Sequence, residues 1–340
     1  MNRKLLWILL GIWSLQGQWG GAAPMNDRNA AAERAVNQLE TMQFRLNMFH
    51  YEAESSLRSS LELPVFAEYF SLEDSKTNRY DEMGVLQTTQ RQNLLRKRME
   101  EWALILNKRF PINEACLVDR HGQEHMRTAD GKVETHSHFS SDEHGSPFFK
   151  ATFERNKGEV YQSTPYMSPD SYRWVVSFTS PVVLESGEKP AFLHFELPLA
   201  FYQVLLTTKS TSFSTSEMRD PDDDEEGRYF ILTKELKVIA DSKQTIDLEL
   251  KAERHPEKNA QLPDYLPPER LDDYLPEVTA IHKDSQFLQG VKDAVEQGKG
   301  MVSLTIDGVE YVMAFLPVPN RPWIMFHLDP VVHKGFWEKR

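Results

Sequence analysis

From residue 26 to about residue 61 the chain has neither Gly nor Pro, and apolar residues recur in steps of three and four. Val36, Leu39, Met42, Leu46, Phe49 and Ala53 therefore lay one apolar stripe along a long helix. A second stretch without Gly or Pro, residues 85–110, carries Leu94, Leu95, Met99, Trp102 and Leu106 in similar fashion, and Pro111 closes it. Residues 64–83 read as a short link between the two. Beyond Pro111 the texture changes. The apolar run Ala115-Cys116-Leu117-Val118 leads through a turn at Arg120-His121-Gly122-Gln123 into residues 124–127, which reads as a hairpin. A short helix is predicted at 146–155, with Pro147 near its first turn. Strand-like runs follow at 159–163, 173–181 and 191–197, the last two joined by Ser186-Gly187-Glu188-Lys189.

The same order then returns. Residues 229–233 and 238–241 flank a turn, and a Pro- and charge-rich stretch at 251–277 precedes a predicted helix at 286–297. Strands at 301–306 and 310–316 enclose the tight-turn pair Asp307-Gly308, and residues 323–328 supply a closing strand. Two rounds of hairpin, helix and three-strand meander make an α+β chain with antiparallel sheets and an internal duplication. The halves share little sequence, so the duplication rests on the order of elements.

Length and composition narrow the class. With 340 residues, 40% hydrophobic and 26% charged, the chain can bury a substantial core. Its formal net charge of -12 argues against nucleic acid or anionic lipid as the main partner. Much of the acidity sits in runs such as Asp222-Asp223-Asp224-Glu225-Glu226, which read as solvated loop. At the N-terminus, Arg3 and Lys4 precede an apolar stretch at 5–15 and small residues at 20–23, the order of a secretory signal peptide. Residues 1–22 are accordingly expected to be a leader cleaved after Ala22. The apolar stretch falls well short of the ~20 residues a spanning helix needs, which disfavours an uncleaved anchor. The single Cys116 excludes an intramolecular disulfide framework and reads as a buried thiol packed as a small hydrophobe.

Enzyme signatures are not convincing: the sequence has no Gly-x-Ser-x-Gly, no phosphate-cradling Gly loop and no His-Glu-x-x-His. A scattered carboxylate pair would leave no local motif, so a hydrolase stays as the weakest alternative. His136, His138, Asp142, Glu143 and His144 are all possible zinc ligands within nine positions. They lie in a Ser-, Gly- and charge-rich segment without ligand spacing, so neither a metal nor another cofactor is expected in this protein.

Several segments nevertheless resemble a known family. The first hairpin, from Ala115 through Asp119 and Gly122 to Glu124, matches an "apolar, Asp, x, x, Gly, x, Glu" pattern. Asp142-Glu143-His144-Gly145-Ser146-Pro147-Phe148-Phe149 resembles the approach to a short helix. Most specific is Tyr161-Gln162-Ser163-Thr164-Pro165-Tyr166-Met167-Ser168-Pro169-Asp170, continuing through Arg173-Trp174-Val175-Val176. Ala191-Phe192-Leu193-His194-Phe195-Glu196-Leu197-Pro198 resembles a closing strand. Together these resemble the double Cache (tandem PAS-like) extracytoplasmic sensor domains of bacterial chemoreceptors, histidine kinases and diguanylate cyclases. The resemblance spans about residues 27–330 and is most specific over 111–200.

It implies a long N-terminal helix supporting two PAS-like modules, with boundaries at 24–110 for the helical stalk region, 111–210 for a membrane-distal-type module, 228–330 for a second module and 331–340 for a tail. It also implies a small-molecule pocket between the distal sheet and the loops and short helix covering it, involving Phe148, Phe149, Tyr161, Tyr166, Ser168, Asp170, Arg173, Trp174 and Glu196. Mostly aromatic walls with a few convergent polar groups suit such a pocket. Arg173 and Trp174 are neighbours on one strand, so only one of them can face it. Trp174 reads equally as core, Asp170 as turn chemistry, and Glu196 as an exposed strand residue. The amino-acid-sensing subgroup has Arg-x-Trp-Tyr at the short helix, where this chain reads Ser146-Pro147-Phe148-Phe149. Without that bidentate grip on a carboxylate, ordinary α-amino acids are not the expected ligands. The expected function is that of a periplasmic or secreted, non-enzymatic sensor that reports ligand occupancy to a separate membrane histidine kinase, chemoreceptor or diguanylate cyclase. A scavenging or transport-type binding protein is the alternative.

Overall fold

The computed structural model describes residues 25–169, 171–207, 227–246 and 268–332. The leader read at 1–22, the acidic run at 222–226, the first part of the Pro-rich stretch and nearly all of the tail lie outside these residues.

Helix α1 (Met25–Leu61) runs for 37 residues, about 55 Å at the helical rise. Its buried face is Ala31, Ala35, Leu39, Met42, Leu46, Phe49, Ala53 and Leu57. The predicted stripe is present except at its start, where Ala35 is buried and Val36 sits half-buried at the edge. The expected link at 64–83 contains a helix of its own, α2 (Pro64–Ser71). Pro64 starts it because a fixed φ and a missing N–H cost nothing in a first turn. A small ladder follows, β1 (Arg79–Tyr80) with β2 (Leu86–Gln87).

Helix α3 (Gln90–Asn107) begins later than the apolar pattern suggests. The Thr89 hydroxyl accepts from the Gln92 N–H at 3.3 Å, and the Gln92 side chain accepts from the Thr89 N–H at 2.8 Å. This capping box satisfies two end donors at once and fixes the start. Leu95, Met99, Ala103 and Leu106 face inward, whereas Leu94 is exposed and Trp102 half-buried. The Trp102 indole donates to Ser60 Oγ at 2.8 Å and ties α3 to α1.

The first sheet unit comprises β3 (Glu114–Asp119), β4 (Glu124–Ala129), β5 (Lys132–Val133), α4 (Phe149–Phe153), β6 (Tyr161–Gln162), β7 (Tyr166–Met167), β8 (Trp174–Val182) and β9 (Ala191–Pro198). Its order is β5-β4-β3-β9-β8-β6, with β7 also paired to β8. The expected helix at 146–155 shortens to one turn and a half, and the expected strand at 159–163 to two residues. Helix α5 (Ala200–Thr207), not foreseen, leads away from this sheet. The second unit comprises β10 (Arg228–Leu232), β11 (Val238–Asp241), α6 (Ser285–Gln297), β12 (Gly300–Ile306), β13 (Val309–Pro317) and β14 (Ile324–Pro330), in the order β11-β10-β14-β13-β12. Numbering the five main strands within each unit, both sheets read second, first, fifth, fourth, third, and every pairing is antiparallel. The architecture is thus α+β, with α1 packed along β8 and β9 of one sheet and β13 and β14 of the other.

Two polar joints hold the units in place. Tyr69 of α2 bonds His125 Nδ1 at 3.0 Å, and His125 Nε2 bonds Asp119 at 3.1 Å. In the second joint Arg321 donates to the Ser163 carbonyl at 2.8 Å and to Tyr202 Oη at 3.3 Å, and Tyr202 Oη meets His50 Nε2 at 3.1 Å. That joint connects α1, α5 and both sheets.

Candidate ligand-binding face

Alternation along the strands of the first sheet separates two interiors. Ala115, Leu117, Trp174, Val176, Phe178, Leu193, Phe195 and Leu197 belong to the main core with the α1 stripe. Their sequence neighbours Cys116, Val118, Val175 and Phe192 face the other way and form a second cluster with Phe148 and Tyr166. Phe149, Phe153 and Tyr161 are half-buried against that cluster, so α4 and the loops around it form a lid.

The lidded face is polar to an unusual degree. Glu114, Glu124, Arg127, Ser177, Thr179, His194 and Glu196 are all buried there, each less than a tenth exposed. Tyr166 donates to Glu196 at 2.5 Å and also bonds Ser177 Oγ. Asn113 donates to the other Glu196 oxygen at 3.4 Å, and Arg173 donates to Asn113 at 2.7 Å and to Asp130 at 2.9 Å. Beside this relay, Arg127 pairs with Glu114 at 2.8 Å, Cys116 donates to Glu114 Oε1 at 3.0 Å, and Glu124 accepts from the Ser140 N–H at 2.7 Å. Phe148 stacks on the His194 ring at 4.7 Å. Thr152 of α4 bonds Thr179 at 2.5 Å and pins the lid to the sheet.

Electrostatics follow from buried carboxylates grouped around the Arg127 guanidinium. Burial pushes Glu124 up to about 7, with the neighbouring Glu143 adding to the rise and Arg127 opposing it. Burial and the Glu114 carboxylate hold the Cys116 thiol well above its usual range. Burial, helped by Arg127, lowers His194 to about 3 and keeps its imidazole neutral. Carboxylates gathered out of water cost free energy to desolvate. Their concentration on one face marks that face as a functional candidate.

Tyr166, Phe148, Ser168 and Glu196 are buried, Phe149 and Tyr161 lie at the lid, and Arg173 sits at the rim. Glu196, whose place on an exposed strand was the simpler reading, is 2% exposed. Trp174 points to the opposite face, 5.7 Å from Tyr274, as the alternation with Arg173 requires. Asp170 lies outside the described residues. The residues around Tyr166 are buried, so the face is covered rather than an open pouch. Two cavities open elsewhere, about 140 Å³ beside Asp74, Arg79 and Gln92 and about 230 Å³ beside Tyr51, Trp102 and Arg109. Sequence reasoning missed Glu114, Glu124, Arg127 and His194. Their signal, alternate polar positions in otherwise apolar strands, needs the sheet register before it has meaning. The histidine-rich segment pairs off locally, His138 with Glu134 at 2.5 Å and His144 with Asp142 at 2.6 Å, with both histidines exposed.

No protein-family model matches the sequence, and no curated protein matches it. Solved structures do share its architecture. The ligand-binding domain of the Campylobacter jejuni chemoreceptor Tlp3, in complex with 4-methylisoleucine, superposes with a TM-score of 0.56 at 10% identity, over 90% of this chain and 93% of that one. The domain of a putative sensory box/GGDEF family protein from Vibrio parahaemolyticus gives 0.55 at 10% identity, over 90% and 97%. The extracellular domain of the putative histidine kinase vpHK1S-Z8 gives 0.54 at 13% identity, over 90% and 97%. Among the described residues no helix is long and apolar enough to cross a membrane. The chain has the fold of the double Cache-type sensory domains.

Proposed function

We propose that the protein is an exported sensor component that binds a small cationic ligand on the lidded face of its first sheet, without chemical turnover. The observation that carries this reading is the set of buried carboxylates, Glu114, Glu124 and Glu196, gathered under the aromatic lid around Arg127. A cation seated there relieves a charge imbalance that the fold itself has no use for. Entry requires α4 to lift against the Thr152–Thr179 bond, the Lys189 bonds to the Phe153 and Arg155 carbonyls, the Arg120 guanidinium over Phe153, and the ring contacts of Phe148, Phe149 and Phe153. Occupancy can then reach the second unit, because the 163–167 segment beside Tyr166 is tied to Arg321 through the Ser163 carbonyl. A ligand shifts such an arrangement by its differential affinity for two states. Output would pass to a separate membrane partner such as a histidine kinase, chemoreceptor or diguanylate cyclase.

The Tlp3 complexes hold isoleucine and L-valine. This chain has no Arg at the corresponding short helix, so calorimetry with α-amino acids is expected to show no tight binding. The reading is tested by a thermal-shift screen of amines and amino acids on the full chain and on Glu196→Gln. An amine at a hundred times its Kd adds about 2.7 kcal/mol of stability, and Glu196→Gln should abolish that shift. A hit that ignores the substitution, or one that is consumed, overturns the reading.

A further inference from the structure

We propose that Glu114, Cys116 and His194 form a binding site for a divalent metal ion of the zinc class at the floor of the lidded face. One donor atom from each lies within 4.8 Å of the others, and all three residues are buried. The sheet register builds the group. Glu114 and Cys116 are two apart on β3 and share a face, and Cys116 is paired directly with His194 on β9. Tetrahedral zinc holds sulfur, nitrogen and oxygen at about 2.0–2.3 Å, so donors about 3.5 Å apart suffice. Side-chain rotation of about 1 Å closes the group to that size.

His194 supplies the independent sign. It is 2% exposed, its ring is held by Phe148, and its Nδ1 is buried with no hydrogen-bond partner. A buried ring nitrogen without a partner costs free energy that a bound ligand recovers. The carboxylate is held in place for the same role: Arg127 donates to Glu114 Oε2, and the Cys116 thiol donates to Oε1. Metal binding replaces that S–H···O bond: the S–H bond breaks, an S–metal bond forms, and the proton leaves to solvent without any change of oxidation state. The face gains one net positive charge, beside the buried carboxylates Glu114, Glu124 and Glu196. A thiolate with an imidazole and a carboxylate selects zinc over magnesium or calcium. Three protein donors leave a fourth position for water or a further ligand.

This inference deepens the sensor reading by naming its cation, and rests on that reading only for what binding would report. Cobalt(II) titrated into the reduced full chain tests it, because a cobalt–thiolate bond produces near-ultraviolet charge-transfer absorption. The expected result is such a band saturating at one equivalent and displaced by zinc. Cys116→Ser should remove the band, and His194→Gln should weaken cobalt binding at least tenfold. A wild-type chain without the band at saturating cobalt overturns the site, whatever the variants do. So does a band of unchanged affinity in folded His194→Gln. An amine that binds through Glu196 in a chain lacking the band would remove the metal site and leave the sensor reading standing.

Discussion

The two sheets have the same strand order but opposite contents on the face turned away from α1. In the second unit, Arg34 of α1 reaches Asp329 and Gln38 meets Tyr229, which marks the helix-facing side. Alternation and register then place Phe230, Phe326, Phe315, Met313 and Leu304 on the far side, where Phe287, Val291 and Ala294 of α6 cover them. Phe230 stacks on Phe326 at 4.8 Å, and Gly290 lies so close to Leu304 that an added Cβ would sit 2.6 Å from its methyl carbon. An ion pair on that side, Arg228 with Asp241, stands at its edge. The first unit sets Glu114, Cys116, Glu124, Arg127, His194 and Glu196 in the matching place. One topology has therefore been filled once for packing and once for chemistry, and the polar filling is not something the fold demands.

The largest effect that sharpens this contrast belongs to the packed side. Phe326→Ala removes a stacked ring from a filled core and should cost about 3–5 kcal/mol in urea unfolding. Ligand or cobalt binding to the surviving folded protein should be unaffected.

Next comes the joint between the units. Burial, then Arg321, lowers His50 from 6.5 to about 4. The unfolded chain takes up this proton first on acidification, so the contribution is fully present above pH 6.5 and is lost as pH falls towards 4. The shift corresponds to about 3 kcal/mol. His50→Gln should flatten the stability profile between those values by that amount, read from urea midpoints across pH.

On the polar side, Tyr166→Phe leaves Glu196 and Ser177 without the phenol and should cost about 1–3 kcal/mol while altering ligand response. The smallest effect is expected at Arg321→Met, which breaks the bonds to Ser163 and Tyr202 at about 1 kcal/mol. Its signature should be decoupling: amide exchange near β14 should cease to respond to ligand. An unchanged response would sever the proposed route between the units.

Much of the framework was legible in the chain. The α1 stripe could be read because steps of three and four persist over many turns. The repeated order of strands could be read from the turns that punctuate them. Helix α2 escaped because eight residues dense in aromatics carry no clear period, and the start of α3 was misplaced although Thr89 and Gln92 spell a capping box. The lidded face was half legible: resemblance pointed to Phe148, Tyr166 and Glu196, all of which the structure places together. Cys116 read as a small hydrophobe because its partner His194 lies on a strand far along the sequence. Only the β3–β9 register joins them.

The claim beneath this account is that the buried charges of the first sheet serve a ligand and not the fold. Urea unfolding of the triple variant Glu114→Met, Glu124→Gln, Arg127→Met, compared with the unaltered chain, tests it most directly. Replacing buried ion pairs by apolar groups of similar volume is often neutral or stabilising by about 1–4 kcal/mol, and an equal or higher midpoint is the predicted result. A midpoint lowered by several kcal/mol would show that these charges hold the sheet together, and would contradict the account.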